Sequence, residues 1–385
     1  MSAPTLLIVG VSLAFIVAFF ATFGTYLYER HARFVANRGR KKKENGYLER
    51  SVNNPILPQG REPWEAEAVI NPAAIHDGER THLLYRAIGS DGVSRLGYAS
   101  SGDGEHFTDR VPYPIFSHED TRARTGRRYD PGRYGSGGSW SGVEDPRAVV
   151  IDGTVYITYN AFNGWDSMRV AMTTIPLADL QKKNWNFSSP QFLSPGGERH
   201  KNWVLFPEKI NGMFALFHNL YADHQSRVRI EYIENIATHD PQTNGFESPD
   251  PHSTPDNTIG WHYRMRSIGP PPVRTPQGWL SFYHAMDANA PGQYKMGALL
   301  LDALNPSRVI ARALVPVLSP EAPYEAQYGA KPGIVYACGA TVTGDELTLY
   351  YGGADSVVCA ARTSLSHFVH RLSTPFTTAL IPLST

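Results

Sequence analysis

The chain has 385 residues, and its 36 Lys and Arg balance 36 Asp and Glu, so the formal net charge is zero. That balance gives no ground for a nucleic-acid partner, and the only two cysteines, Cys338 and Cys359, lie in apolar strand-like sequence with no CxxC or His-x-x-x-His spacing to suggest a metal. With 34 Gly, 29 Pro and 11% aromatic residues, the composition favours many short strands and turns over helices.

From Thr5 to Leu27 the chain carries no charge, a run long enough to cross a hydrocarbon core of about 30 Å as one helix. MSAP before it offers no base, unlike the start of a signal peptide. Arg30, Arg33, Arg38, Arg40, Lys41, Lys42 and Lys43 follow, opposed only by Glu29 and Glu44, and such a flank stays on the cytoplasmic side. The expectation is a transmembrane anchor over 1–28, a basic juxtamembrane linker over 29–50 and a large domain over 51–385. The protein would then be single-pass, partnered with the membrane through its N-terminal helix, with the domain on the cytoplasmic side.

The domain repeats one phrase five times: a β-prone run, a tight Gly turn, then a run ending in an aromatic and usually a polar residue. The copies span Ala73–Ala87, Ala148–Phe162, Glu208–Leu220, Val273–Met286 and Ala340–Asp355, with turns at Gly78, Gly153, Gly212, Gly278 and Gly344. A fainter phrase follows each copy, beginning at Ser94, Met168, Arg227, Tyr294 and Ser356. Paired hairpins in five units predict an all-β fold, a five-bladed β-propeller preceded by the single N-terminal transmembrane helix. LADLQKK around Leu180 is the main helical candidate. In a propeller, equivalent strand positions aim at one axis, so Arg86, Asn160, His218, His284 and Asp355, which end or follow the five phrases, become candidates for one polar pocket.

Between the first two copies lies an Arg- and Gly-rich insertion over 118–142, placed to fold over the channel mouth and shape its specificity, and then Val143-Glu144-Asp145-Pro146-Arg147. Pro146 fixes φ and removes a donor, holding the carboxylates in an extended turn. Taken alone, those five residues also fit an Asx-turn with a surface ion pair.

In their order along the chain, Asn54-Pro55-Ile56-Leu57, Trp64-Glu65, Asn71-Pro72-Ala73-Ala74, Leu84-Tyr85-Arg86-Ala87, Ser94-Arg95-Leu96-Gly97, Val143-Glu144-Asp145-Pro146-Arg147, Leu205-Phe206-Pro207-Glu208-Lys209-Ile210, Tyr283-His284, Gly297-Ala298-Leu299-Leu300-Leu301-Asp302, Pro323-Tyr324-Glu325 and Tyr350-Tyr351-Gly352 resemble glycoside hydrolase family 130, the β-mannoside phosphorylases and β-mannosidases built on a five-bladed propeller. The resemblance covers about residues 51 to 375. It implies an inverting enzyme that cleaves β-mannosidic bonds in oligosaccharides or glycoconjugates. Asp145 would be the proton donor acting through a mannose hydroxyl, with a carboxyl pKa raised by burial or by Glu144.

The same resemblance implies substrate binding by Asn71, Arg86, Arg95, His284 and Asp355, with Glu144, Arg147 and His218 beside them. No cofactor and no metal are implied. On the nucleophile side, Lys201 matches a phosphate-binding position, Arg266 falls near another, and Asn219 stands where a phosphate-using relative carries Arg. Because a buried dianion needs charged, preferably bidentate donors, Asn219 turns the expectation toward hydrolysis. Water would need a base, for which Glu325 and Asp355 are the candidates and Glu208 a weaker one. The alternatives are a β-mannosyl phosphorylase that takes inorganic phosphate and releases mannose 1-phosphate, and a non-catalytic, membrane-tethered sugar-binding propeller.

Overall fold

The repeated phrases fold as antiparallel meanders. A computed structural model describes residues 47–118, 127–165, 168–197, 199–222, 225–241, 261, 264–287, 289–373 and 380–381. After a short strand β1 (Glu49–Arg50), the first unit comprises β2 (Ala68–His76), β3 (Thr81–Ile88), β4 (Val93–Ser101) and the edge strand β5 (Asp109–Arg110). The second holds β6 (Ser141–Ile151), β7 (Thr154–Phe162), β8 (Met168–Pro176) and β9 (Gln191–Phe192), and the third β10 (Val204–Leu205), β11 (Phe214–Ala222) and β12 (Gln225–Ile233). The fourth runs from β13 (Arg264–Ile268) through β14 (Val273–Thr275), β15 (Gly278–Asp287) and β16 (Ala290–Leu301) to β17 (Val309–Ala313). The fifth has β18 (Val335–Thr343), β19 (Glu346–Gly353) and β20 (Val357–Ser364), and β1 pairs with β20 as its outer strand.

The units are joined in a cycle because each is apolar on both faces. One buried core lies between units one and two (Leu84, Leu96 against Val143, Ile157), and others between two and three (Val149, Met172 against Leu205, Leu216) and three and four (Phe206, Phe217 against Trp279, Tyr283). The cycle closes with Leu280 and Phe282 of unit four against Leu347 and Leu349 of unit five, and Val69 and Leu83 of unit one against Tyr350 and Val358. Alternation within β15 shows the rule. Trp279 and Tyr283 face one neighbour while Leu280 and Phe282 face the other, as a period of two requires.

The two repeated phrases interlock in the first and fourth units. Tyr85 lies opposite Gly97 and Tyr283 opposite Gly297, and a Cβ on either glycine would meet the tyrosine ring at 2.2 Å. The small residue of the second phrase is the seat for the aromatic of the first.

The all-β reading therefore stands, whereas the membrane part of the expected fold class is corrected. Among the described residues no helix is long and apolar enough to cross a membrane, and the α-helices there are short, at Leu177–Gln181, Pro323–Ala326 and Leu365–Ser373. The apolar run over 5–27, on which the anchor and the single-pass localisation rested, lies outside the described residues. Neither the anchor nor a membrane partner is retained.

Ring closure at the N-terminal strand depends on charge. Arg50 Nε and one terminal nitrogen donate to the two carboxylate oxygens of Glu325 at 2.9 and 2.8 Å. The fully buried Glu325 also accepts from Tyr351 Oη at 2.7 Å and from the backbone N–H groups of Glu321 and Ala322. Removing one partner of such a pair leaves an uncompensated buried charge. Arg50→Met should therefore lower stability by about 3 kcal/mol, read as a shift of the urea midpoint at unchanged slope. An unmoved midpoint would show that this pair does not hold the strand.

Candidate active site

The inner strands carry register shifts near the ring's centre, between Ile70 and Ala73, Glu144 and Arg147, Met265 and Ser267, and Ala337 and Gly339. A bulge bends a strand and re-aims one side chain. In units one and two the bulged residue precedes a proline, as Ile70-Asn71-Pro72 and Glu144-Asp145-Pro146, and Asn71 and Asp145 adopt left-handed φ values of 48° and 50°. Asn and Asp tolerate this region better than other residues, at a cost of roughly 1–3 kcal/mol each, and proline brings no N–H for the bulge to leave unpaired. Asn202, just before β10, and Asp355, after β19, share the conformation with φ of 62° and 50°.

These bends bring the Asn71 amide to Asp145, where Nδ2 donates to Oδ1 at 2.8 Å. Arg86 donates to the same oxygen at 3.0 Å and to Glu144 at 2.8 Å. Its Nε donates to Ser94 Oγ at 2.9 Å, and the nitrogen that serves Glu144 also lies 2.7 Å from the Ser136 carbonyl and 2.8 Å from Ser139 Oγ. Glu144, fully buried, accepts from the hydroxyls of Ser136 and Ser139 and pairs with the Lys201 ammonium at 3.1 Å. Arg147 does not grip the carboxylates. Its guanidinium donates to the backbone carbonyls of Gly269, Asp145 and Ile268 and to Asn202 Oδ1. Asp145 Oδ2 makes no hydrogen bond among the described residues, and neither does the buried Oδ1 of Asn71.

The electrostatics separate the two aspartates. Burial alone would push the Asp145 carboxyl up, but Arg86, Lys201 and Arg147 outweigh it and hold the group down at about 2. The raised pKa that a proton donor requires is thus opposed by the protein's own cations. Burial raises the Asp355 carboxyl, against the pull of Lys331 and Arg86, and the ionised Asp145 adds to the rise.

Several other residues expected at the site have duties inside the fold. His284 is fully buried, and its Nε2 accepts from the Ala337 N–H at 2.9 Å. Its other nitrogen therefore carries the proton and donates to Ser267 Oγ at 3.1 Å, so both ring nitrogens are engaged. Burial and the nearby Arg147 hold it neutral, with a pKa of about 3. His218 stacks on Trp203 at 3.9 Å and pairs with Glu231 at 2.7 Å. Arg95 pairs with Asp91 at the rim, Arg266 lies over the Tyr294 ring at 5.4 Å, and the Asn219 side chain lies outside the described residues. Of the candidate bases, Glu325 is enclosed by Arg50, Tyr351 and backbone donors, while Glu208 is exposed and pairs with Arg274.

The sequence reading missed Ser136, Ser139 and Asn202, whereas Asn160, expected at the pocket, is buried there against Asn202. Asn160 accepts from the Asn202 N–H at 2.7 Å and donates to its Oδ1 at 3.0 Å, fixing the turn that presents Lys201. For the serines a signal existed in Gly135-Ser136-Gly137-Gly138-Ser139, because glycines on either side let a loop descend into a crowded centre. A Cβ on Gly137 would lie within ordinary contact distance of the Arg86 guanidinium. Among the described residues no group of three or more His, Cys, Asp and Glu is placed to hold a metal ion.

A model of the family described as β-1,4-mannooligosaccharide phosphorylase matches residues 48–373. Among curated proteins, the chain is 36% identical over 328 residues to the 1,2-β-oligomannan phosphorylase of Thermoanaerobacter sp. (strain X514), covering 82% of this chain and 96% of that protein. It is 34% identical over 328 residues to the β-1,2-mannobiose phosphorylase of the same organism, with the same coverage. Among solved structures it aligns with TM-score 0.63 and 25% identity, over 84% of this chain and 96% of that one, with a protein reported under the finding that the GH130 family of mannoside phosphorylases contains glycoside hydrolases that target β-1,2-mannosidic linkages in Candida mannan.

Asp145 is the proton donor expected from the sequence, and its Oδ2 is left without a hydrogen bond among the described residues. Asp145→Asn keeps the shape and the contact to Arg86 on one oxygen but removes the ionisable carboxyl group. Turnover should fall by about 10²–10⁴ with the thermal midpoint changed little, measured by product formation and calorimetric melting. Unchanged turnover would remove Asp145 from the chemistry.

Proposed function

The chain belongs to glycoside hydrolase family 130, which makes it an enzyme of β-mannosides, and we propose that it is an inverting β-mannoside phosphorylase that uses inorganic phosphate to release mannose 1-phosphate. The observation that carries this reading is the gathering of three buried cations, Arg86, Arg147 and Lys201, around Glu144 and Asp145. Once Asp145 and Asp355 are neutral, Arg86, Arg147 and Lys201 face Glu144 alone, and the excess of two charges matches a phosphate dianion. Sequence reasoning favoured water because of Asn219. The balance turns the other way because the curated relatives that span most of the chain are phosphorylases, and because Glu325, one of the two leading candidate bases, is enclosed in the fold. The substrates those relatives are named for make β-1,2-linked mannosides the first choice.

The proposed reaction runs as a single displacement. The mannose to be transferred lies against Asn71, Arg86 and Asp145, with Asn71 Oδ1 free to accept from one hydroxyl. A phosphate oxygen attacks the anomeric carbon from the face opposite the glycosidic bond. That bond breaks, and the leaving oxygen takes a proton relayed from Asp145 through a mannose hydroxyl. A phosphate beside Lys201 and Arg147 cancels the field that holds Asp145 at about 2, so the donor gains its proton as the nucleophile arrives.

With purified protein, β-1,2- and β-1,4-mannobiose should yield mannose 1-phosphate only when phosphate is present, with β-1,2-mannobiose the faster. Free mannose released at the same rate without phosphate would make the protein a hydrolase. Calorimetry in two buffers of different ionisation enthalpy should record proton uptake on phosphate binding that Asp145→Asn lacks. Because added negative charge raises the carboxyl pKa, phosphate binding to the native protein should tighten as the pH falls, approaching that of the permanently neutral variant, which lacks this contribution to the pH dependence. Equal proton uptake by both proteins would detach Asp145 from the phosphate site.

A further inference from the structure

We propose that Trp165 is the stacking platform for the departing sugar and sets the enzyme's grip on that part of the substrate; the inference rests on the β-mannoside reading of the site. Trp165 lies just beyond β7, the strand that brings Asn160 to the cluster, and it is 41% exposed. Its neighbours tie it to the site. The Lys201 ammonium lies 5.5 Å from the Trp165 ring centroid, and the same ammonium bonds Ser136 Oγ at 3.0 Å and Glu144 at 3.1 Å. Gly135, next to Ser136, lies beside the ring, where a Cβ would make ordinary contact with Cζ2 at 3.9 Å. Phe162 holds the indole from the other side, edge to face at 5.7 Å and 81°.

The ring is thus held by Lys201, Phe162 and the Gly135 turn yet remains 41% exposed, and its indole N–H makes no hydrogen bond among the described residues. An open aromatic face of this kind fits the C–H face of a pyranose, and the free N–H fits one of its hydroxyls. Exposure rises from 4% at Asp145 and 2% at Arg86 to 41% at Trp165. The mannose that is transferred must reach the buried carboxylate, so the sugar at the exposed indole is the one that leaves. Lone exposed residues such as Leu304 and Val52 show no such connection to the site.

The test uses Trp165→Ala and Trp165→Phe. In the synthetic direction, Trp165→Ala should raise KM for the acceptor mannoside about 10-fold while KM for mannose 1-phosphate stays within about 2-fold, and Trp165→Phe should recover most of the loss. A parallel rise in both constants, or in KM for phosphate, would show that the ring only props Lys201 and would overturn the assignment, as would no change. Binding of β-1,2-mannobiose to Asp145→Asn, followed by tryptophan fluorescence, gives a readout independent of the nucleophile. Adding Trp165→Ala should weaken that binding about 10-fold and abolish the quenching. If native protein makes no mannose 1-phosphate but the fluorescence difference persists, the phosphorylase reading fails and the platform stands. If mannose 1-phosphate forms and the fluorescence difference is absent, the platform alone fails.

Discussion

The Arg86 guanidinium is the constraint around which the centre of this molecule is organised. It is 2% exposed, and its donors are committed to Ser94 of its own unit, to Glu144 and Asp145 of the next, and to Ser136 and Ser139 of the loop between them. A buried cation so enclosed contributes little net stability, because the cost of removing its hydration nearly cancels the attraction. The ring of apolar cores could close without it. What the arrangement secures is position: two carboxylates and a loop are held to one planar fork, and Asp145 is left with a single uncommitted oxygen.

Much of this was legible in the chain because it repeats. The aromatic of the first phrase and the glycine of the second meet as Tyr85 on Gly97 and Tyr283 on Gly297, so the period visible in the sequence is a packing rule. Asn71-Pro72 and Asp145-Pro146 are two copies of one bulge, and their side chains meet because the strands carrying them are neighbours. Gly352 belongs to the same logic: a Cβ there would meet Asn71 Oδ1 at 2.2 Å, so the glycine in Tyr350-Tyr351-Gly352 makes room for the amide.

What could not be read is which polar residues the fold itself consumes. His284 ends its phrase as Arg86 does, yet its two nitrogens are bound by the Ala337 N–H and Ser267. Glu325 stands in a promising motif and instead meets Arg50, whose sequence distance of 275 residues hides the contact. The pKa of Asp145 was misjudged for the same reason. Burial was foreseeable from apolar neighbours in sequence, whereas the charges that reverse its effect arrive through space from Arg86, Lys201 and Arg147. The hydropathy of residues 5–27 is a property of a segment alone, and it carries no information about the ring that the described residues form.

The distribution of acids also bears on the choice of nucleophile. An inverting hydrolase needs a carboxylate free to take a proton from water, and it needs the cleft to tolerate that negative charge beside the donor. Here Glu325 is saturated by hydrogen bonds and Glu208 lies on the surface. That leaves Asp355, whose own charge is disfavoured by burial and by the ionised Asp145. Under the proposed reading, a nucleophile that arrives already anionic removes the need for a base and meets a centre that holds Arg86, Arg147 and Lys201. In the proposed reaction the same arrival would release Asp145 from the field that keeps it ionised, coupling attack and proton donation through charge.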